Sequence, residues 1–261
     1  MASKVAAQMY TIREHCETGK DFGASLERLS AMGYTAVQLS GVKALGTEVS
    51  AAEARKMLDD NGLKCIATHR GWPALAKETE SEIALHQALG CDFAGIGGLP
   101  VPRQEQTAES FRAFLAEAEP VIAKLKAAGI RFGYHNHAHE FVRTGPGQKT
   151  RYDIFIDEGG PDFMLELDTY WAVHAGASPV KIVNQCKGRV PVIHVKDKEV
   201  TEDEYQAVFA PIGEGNLDWD AILPACEAAG VEWYAVEQDQ CRRDPFDCLK
   251  SSLDFLTSKG V

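Results

Sequence analysis

The chain has 261 residues, of which 45% are hydrophobic and 25% charged, and 27 basic against 38 acidic residues give a formal net charge of −11. This composition is that of a globular protein, and it excludes a disordered chain, which has too little apolar surface to offset the entropy of ordering. The acidic balance argues against broad binding to a nucleic acid backbone, so we expect no nucleic acid partner.

The chain carries no sign of membrane insertion or secretion. There is no run of about 18 apolar residues, so we expect no membrane span. The first residues lead directly into a strand-like segment, which predicts no secretory signal and a cytoplasmic location. The seven cysteines are scattered and form no Cys-x-x-Cys, which predicts buried thiols rather than disulfides or a structural zinc site.

Short β-rich segments alternate with amphipathic stretches along the chain. The predicted strands are, in chain order, 5–10, 35–39, 63–67, 92–96, 130–134, 163–167, 190–195 and 231–236. The predicted helices are about 21–32, 50–61, 76–89, 108–128, 151–158, 178–187, 218–229 and 245–258. Several helices end at a glycine that directly precedes a strand, as at Gly33, Gly62 and Gly90, which is typical of an αβ joint.

Eight such units over about 260 residues predict an α/β protein, a closed (β/α)8 TIM barrel that occupies residues 1–261 as a single domain. A doubly wound open sheet is the alternative. It is weakened because no G-x-G-x-x-G turn follows the first strand.

Ionisable and aromatic residues gather at the predicted strand ends, where a barrel of this kind places its chemistry. They are His69, Arg70 and Trp72 after the third strand, His135, His137, His139 and Glu140 after the fifth, Asp168 and Trp171 after the sixth, His194, Lys196 and Asp197 after the seventh, and Glu237 after the eighth.

Four of these residues point to a metal. Asp168, His194, Glu237 and Glu140 follow apolar runs, and their burial at one mouth requires a shared compensating charge. Carboxylates together with imidazole suit one divalent cation: Mn, Mg, Co, Fe or Zn.

Structural roles remain open for each of these four. Asp168 could cap the following segment, His194 could be an interior histidine, and Glu237 could pair with Lys196 or Arg242. Glu140 could serve in a salt bridge.

The stretches YHNHAHEF (134–141), LELDTYW (165–171), VIHVKDKE (192–199), PIGEGNLDW (211–219) and WYAVEQDQ (233–240) carry a family resemblance. They resemble the sugar phosphate isomerase/epimerase group, the xylose isomerase-like TIM barrels, which includes ketose 3-epimerases, inosose dehydratase and endonuclease IV. The resemblance implies one divalent metal, commonly Mn, held by Glu, Asp, His and Glu. Asp168, His194 and Glu237 match three ligands, and either Glu140 or His135 takes the fifth-strand position.

By this resemblance the chain is a metal-dependent sugar isomerase or epimerase, which removes a proton next to the carbonyl of a ketose or keto-sugar to give an enediolate. We expect His135 or His137 as the general base, with Glu140, Glu237 and Lys196 completing the catalytic set. The expected substrate-binding residues are His69, Arg70, Trp72, His137, Trp171 and Asp197.

Three alternative functions remain open. The first is a lyase of the same fold, an inosose-type dehydratase or an eliminase of 3-keto-glycosides. The others are an endonuclease-type phosphoesterase and a non-catalytic binding subunit. The expected partner is a small sugar, and a homo-oligomer is possible.

Overall fold

The computed structural model describes residues 3–202 and 206–261. Ten strands are present in these ranges. They are β1 (Val5–Gln8), β2 (Ala36–Leu39), β3 (Lys64–His69), β4 (Phe93–Ile96), β5 (Arg131–His135), β6 (Phe163–Glu166), β7 (Val192–Val195), β8 (Asp197–Val200), β9 (Ala207–Ala210) and β10 (Trp233–Val236). Eight of them form one parallel sheet in the order β6-β5-β4-β3-β2-β1-β10-β7, whereas β8 and β9 form a separate antiparallel pair.

Ten α-helices surround the sheet in the described ranges. They are α1 (Gly19–Met32), α2 (Ala51–Asp60), α3 (Trp72–Lys77), α4 (Thr79–Leu89), α5 (Ala108–Ala127), α6 (Arg151–Glu158), α7 (Thr169–His174), α8 (Pro179–Gln185), α9 (Trp219–Ala229) and α10 (Pro245–Ser258). Among the residues described, none of the helices combines the length and apolar character needed to cross a bilayer.

The predicted (β/α)8 barrel is confirmed, with all eight predicted strands in place. The αβ joints form as expected: Gly33 ends α1 and Gly90 ends α4, both with left-handed φ values of 103° and 65°. One local prediction was wrong, and two elements were missed. The helix predicted at 76–89 is divided into α3 and α4 at Glu78, and neither α7 nor the β8–β9 hairpin was predicted.

The barrel closes between β6 and β7 just beyond the end of β6. The amide of His194 donates to the carbonyl of Leu167 (2.8 Å), and Asp168 forms an isolated parallel bridge with His194. The amide of Asp168 donates to the side chain of buried Asn136 at 3.0 Å. The closing contact of the sheet therefore holds two of the predicted metal ligands next to each other.

Inward-facing side chains divide the barrel interior into an apolar layer and a polar layer. Apolar residues fill the lower layer: Ala6, Ala36, Phe93, Val192 and Ala235. Because side chains of a strand alternate between its two faces, the residues two positions further on also point inward. Those positions on the same strands are Gln8, Gln38, Gly95, His194 and Glu237. The two-residue period of the strands thus places polar side chains at the mouth of the barrel.

A bulge turns β3 so that His69 joins this polar layer. Val37 of β2 pairs with Cys65, whereas Gln38 pairs with Ala67, so Ile66 is an extra residue in β3. After the bulge, the Thr68 hydroxyl lies 2.8 Å from His86 of α4 outside the barrel. His69 consequently faces the interior.

All seven cysteines are free thiols, six of them buried and Cys241 half-buried. Burial raises the pKa of the Cys16 and Cys226 thiols to about 12. These groups are therefore neutral packing residues near neutral pH.

Gly133 of β5 lies directly against the Phe93 ring, and a Cβ at this position would be 2.1 Å from Phe93 Cζ. We expect Gly133→Ala to lower the free energy of unfolding by about 1–3 kcal/mol, because the ring has no free space to move into. Denaturant unfolding measures this change. Gly71→Ala is the control, since its Cβ would meet no atom closer than 3.9 Å and its φ of −76° suits alanine. Equal stability of the two variants would contradict this view of the interior.

Candidate active site

Four buried side chains at the barrel mouth direct their donor atoms toward one point. His135, Asp168, His194 and Glu237 come from four strand ends, and one ligand atom of each lies within 4.8 Å of the others. His135 Nε2 is 3.2 Å from Asp168 Oδ2, and His194 Nδ1 is 2.7 Å from Glu237 Oε2. We call these four residues the mouth cluster.

Asp168 serves both the cluster and the fold. Its Oδ1 accepts from the amide of Trp171 at 2.8 Å and caps α7, whereas its Oδ2 faces His135. Asp168 therefore caps a helix, as the sequence left open, and also belongs to the mouth cluster. It can do both because its two carboxylate oxygens point in different directions.

Gln38 and Glu166 set the hydrogen bonding of His194. A carboxylate only accepts, so the Gln38 amide group must donate its Nε2 to Glu166 Oε1 (2.8 Å). Gln38 Oε1 is then the acceptor for His194 Nε2, also at 2.8 Å. This arrangement leaves His194 Nδ1 facing Glu237 and the centre of the mouth cluster.

Glu237 is oriented by Gln8, whose Nε2 donates to Glu237 Oε1 at 2.9 Å while its Oε1 accepts from the amide of Tyr10. Burial disfavours a charged His194, but the carboxylates of Glu166 and Glu237 outweigh burial and raise the pKa of His194 to about 10. Without a metal both ring nitrogens donate, one to Gln38 and one to Glu237, and a bound cation would take the place of the proton on Nδ1.

Lys196 is fully buried and supplies the fixed positive charge of the site. Its Nζ contacts Glu237 Oε2 (2.7 Å), Asp239 Oδ1 (2.9 Å) and Asp168 Oδ2 (3.0 Å). Burial opposes the ammonium, yet these carboxylates raise the pKa of Lys196 above its ordinary value. Of the two partners that the sequence suggested for Glu237, Lys196 is the one that contacts it. Arg242 pairs with Glu199 instead.

His69 forms a second pair across the mouth. Its Nε2 lies 2.5 Å from Glu166 Oε2, and its Nδ1 lies 3.4 Å from the hydroxyl of Ser40. Its side chain is 14% exposed, against 4% for His135 and none for His194. Of these three imidazoles, His69 is therefore the one most open to a substrate.

The structure does not bring Glu140 into the mouth cluster. Glu140 lies in a short 3-10 helix, where it accepts from the Tyr134 hydroxyl (2.7 Å) and the His137 amide (2.8 Å) and pairs with His139. His135 occupies the fifth-strand position instead. The turn of the 3-10 helix directs Glu140 back into the fold.

His137 lies between the mouth cluster and Trp171. Its ring centroid is 4.9 Å from that of His135 and 5.5 Å from that of Trp171. Burial and the nearby His135 and Lys196 lower the pKa of His137 to about 2, so its imidazole is neutral. The Trp171 ring also packs against Phe209 of β9, 5.7 Å away.

Three expected substrate-binding residues have structural partners. Trp72 is buried, donates its Nε1 to Glu117 and packs against Phe114. Asp197 is turned away from the mouth: it accepts from the amides of Gly213, Gly215 and Leu217 and from the Trp219 indole, and so holds the loop after β9. Arg70 forms a bidentate pair with Glu82, with both contacts at 2.6 Å.

Sequence reasoning missed several residues that support the mouth cluster: Gln8, Gln38, Asn136, Glu166 and Asp239. A usable signal exists for four of them. Gln8 and Gln38 are polar amides at inward positions of otherwise apolar strands. Glu166 also lies two positions before Asp168, and Asp239 two positions after Glu237. On an extended segment that spacing places side chains on the same face.

The mouth cluster fits a divalent cation. Four ligands bound at about 2.0–2.1 Å in a tetrahedron lie about 3.3 Å apart, and the separations of 2.7, 3.2 and 4.0 Å bracket that value. Glu166, Asp168 and Glu237 are buried here, and Lys196 together with the protonated His194 offsets two of these three carboxylates, which leaves buried negative charge. Two imidazoles and two carboxylates suit Mn, Fe, Co or Zn.

We expect Gln38→Met, which keeps the side-chain length but removes both hydrogen bonds, to weaken Mn²⁺ binding by about 10–100-fold. The reason is that His194 loses the acceptor that directs its Nδ1 into the cluster. Equilibrium dialysis measures the affinity. Gln185→Met, at an exposed position of α8, is the control, and equal affinities in the two variants would contradict the orienting role.

Among the known proteins similar to this chain are an inosose dehydratase and two solved structures. An inosose dehydratase of Geobacillus thermodenitrificans is 28% identical over 145 residues, which are 49% of this chain and 47% of the relative, so the match spans about half of that protein. A sugar phosphate isomerase/epimerase structure from Parabacteroides distasonis superposes with a TM-score of 0.83 at 23% identity, over 99% of this chain and 95% of the other. The structure of IOLI protein with a zinc atom has a TM-score of 0.74 at 15% identity, over 98% and 97%.

The solved structures share the fold with this chain. The family model of the xylose isomerase-like TIM barrel matches residues 26–259, which is most of the chain. The chain belongs to the xylose isomerase-like TIM barrel family.

Proposed function

We propose that this protein is a divalent-metal-dependent enzyme that isomerises or epimerises a ketose or keto-sugar by moving a proton next to the carbonyl. The observation that carries the proposal is the mouth cluster: two imidazoles and two carboxylates, all buried, at the carboxyl end of the barrel strands. Buried acidic groups beyond those that Lys196 and the protonated His194 offset favour a bound cation over a purely structural role.

His135, Asp168, His194 and Glu237 would hold the cation. When bound, a divalent cation polarises a carbonyl and acidifies the neighbouring C–H bond. Manganese is our proposal for the metal, and the zinc atom bound by the IOLI protein supports a cation of this class at this fold.

His69 is our proposal for the group that moves the proton. Its Nε2 is held by the buried carboxylate of Glu166, which fixes the ring, and its Nδ1, 3.4 Å from the Ser40 hydroxyl, would accept the proton as a general base. This role replaces the one expected for His135, whose Nε2 points into the mouth cluster. Lys196 holds the carboxylates of Asp168 and Glu237 in place and steadies negative charge at the mouth.

Glu140 takes a supporting place in this scheme. Its contacts with the Tyr134 hydroxyl and the His137 amide hold the segment that carries the imidazole of His137. His137 and Trp171 form the wall of the mouth on that side, where they are placed to contact a substrate.

A lyase is the second candidate. The observation that favours it is that the curated relatives are inosose dehydratases. Dehydration also begins with proton removal next to a carbonyl, so the same residues would remove that proton. The two reactions would differ in the next step, because dehydration expels a hydroxyl group from the neighbouring carbon.

For the metal, we expect about one Mn²⁺ per chain in the reconstituted protein and close to none in Asp168→Asn. The substitution removes a charged ligand but retains the Oδ1 that caps α7. Elemental analysis measures the content. Mn²⁺ at 100 times its Kd should also stabilise the wild type by about 2.7 kcal/mol, which a thermal melt detects, and should leave the variant unchanged. A metal-free wild type after reconstitution would contradict the proposal.

For the chemistry, we expect Mn²⁺-loaded protein to incorporate solvent deuterium into at least one member of a panel of ketoses, inososes and 3-keto-glycosides. His69→Gln should retain the metal, but its rate of deuterium exchange should fall by a factor of about 10²–10⁴, because only the proton-moving group is removed. NMR of the recovered sugars measures exchange and separates a new epimer from an eliminated product. Full exchange in His69→Gln would contradict the role of His69.

A further inference from the structure

A groove of about 530 Å³ opens beside the mouth between the loops that follow β3 and β4. Its polar lining includes Arg70, Gly97, Gly98, Arg103 and His139, and we call it the Arg70–Arg103 groove. In a chain with a net charge of −11, two arginines and a histidine line this groove, and none of its lining residues is an aspartate or glutamate. Glu82 pairs with Arg70 and Glu140 pairs with His139, so Arg103 is the cationic lining residue whose charge no described carboxylate offsets.

Arg70 is fixed within the groove. Its Nε and Nη2 are held by Glu82, a nearly buried residue behind the groove, while Nη1 makes no hydrogen bond within the described ranges. The guanidinium plane is consequently set, and its remaining donor is left for a ligand. Arg103 is exposed and forms no ion pair with any described residue.

The backbone of the groove also offers donors. The amides of Gly97 and Gly98 donate no hydrogen bond to the residues that the structure describes. Successive unpaired amides beside guanidinium groups are a common arrangement around bound phosphates and carboxylates.

Two residues that line the groove, Gly97 and His139, lie next to residues of the mouth. A Cβ on Gly97 would lie 3.8 Å from Nδ1 of His69, the residue proposed to move the proton. On the other side, the rings of His135, His137 and His139 follow one another with centroids 4.9 and 5.7 Å apart. A molecule of sugar length with one end at the mouth cluster can therefore place its other end in the groove.

We propose that the Arg70–Arg103 groove binds an oxyanion, a phosphate or a carboxylate, and that this oxyanion is a substituent of the substrate. The second part rests on the proposed function, because it takes the reacting carbonyl to lie at the mouth cluster. The substrate class is then an acidic keto-sugar rather than a neutral ketose. The oxyanion accepts from Arg70 Nη1, from the Arg103 guanidinium and from the amides of Gly97 and Gly98.

The test is a titration of the ¹⁵N-labelled protein, as purified, with inorganic phosphate and separately with acetate. We expect the amide signals of Gly97 and Gly98 to shift and saturate with at least one of the two anions. Saturation by phosphate alone identifies a phosphate site, and saturation by acetate alone identifies a carboxylate site.

Arg103→Gln should raise the Kd of the bound anion by about three- to tenfold, because the substitution removes a charged hydrogen-bond donor to the anion. The fold should not change, since Arg103 is exposed. Arg112→Gln, a substitution of an arginine on α5 away from the groove, is the control and should leave the Kd unchanged. Shifts absent from Gly97 and Gly98, or equal Kd values in the two variants, would overturn the proposal. Anion binding that depends on Arg103 in a protein whose mouth cluster takes up no Mn²⁺ would retain the oxyanion site and reject the proposed function.

Discussion

Buried negative charge at the barrel mouth is the constraint on which the arrangement of the site depends. The side chains of Glu166, Asp168 and Glu237 are at most 5% exposed, and Asp239 is partly exposed. Such groups are costly to bury unless they are paired. Lys196 and the protonated His194 supply local positive charge, and His69 Nε2 donates a hydrogen bond to Glu166. The remaining negative charge and the ligand types of the mouth cluster suit a divalent cation.

The fold makes this concentration of charge possible through its strand period and its glycines. Apolar side chains fill the lower layer of the barrel, so the polar layer above them has a rigid support. Gly133 leaves space for the Phe93 ring below, and Gly95 leaves space for His69 and Glu166 above, since a Cβ there would be 3.0 and 3.3 Å from their atoms. The closing bridge between Asp168 and His194 then ties sheet closure to the geometry of the site.

The sequence was sufficient for the strands, the glycine-ended helices and three residues of the mouth cluster, because those depend on local pattern and on the position of strand ends. It was insufficient where the outcome depends on pairing between strands. The bulge at Ile66 that turns His69 inward is a property of the β2–β3 register, and no local pattern marks it. The 3-10 turn that draws Glu140 toward Tyr134, and the loop that encloses Asp197, likewise depend on tertiary contacts.

The central claim is that His135, Asp168, His194 and Glu237 hold one metal ion. Diffraction from crystals grown with Mn²⁺, recorded above the manganese absorption edge, tests it most directly. We expect a single strong anomalous peak within coordination distance of His135 Nε2, Asp168 Oδ2, His194 Nδ1 and Glu237 Oε2. A peak at His137, His139 and Glu140 instead, or no peak at the mouth, would contradict it.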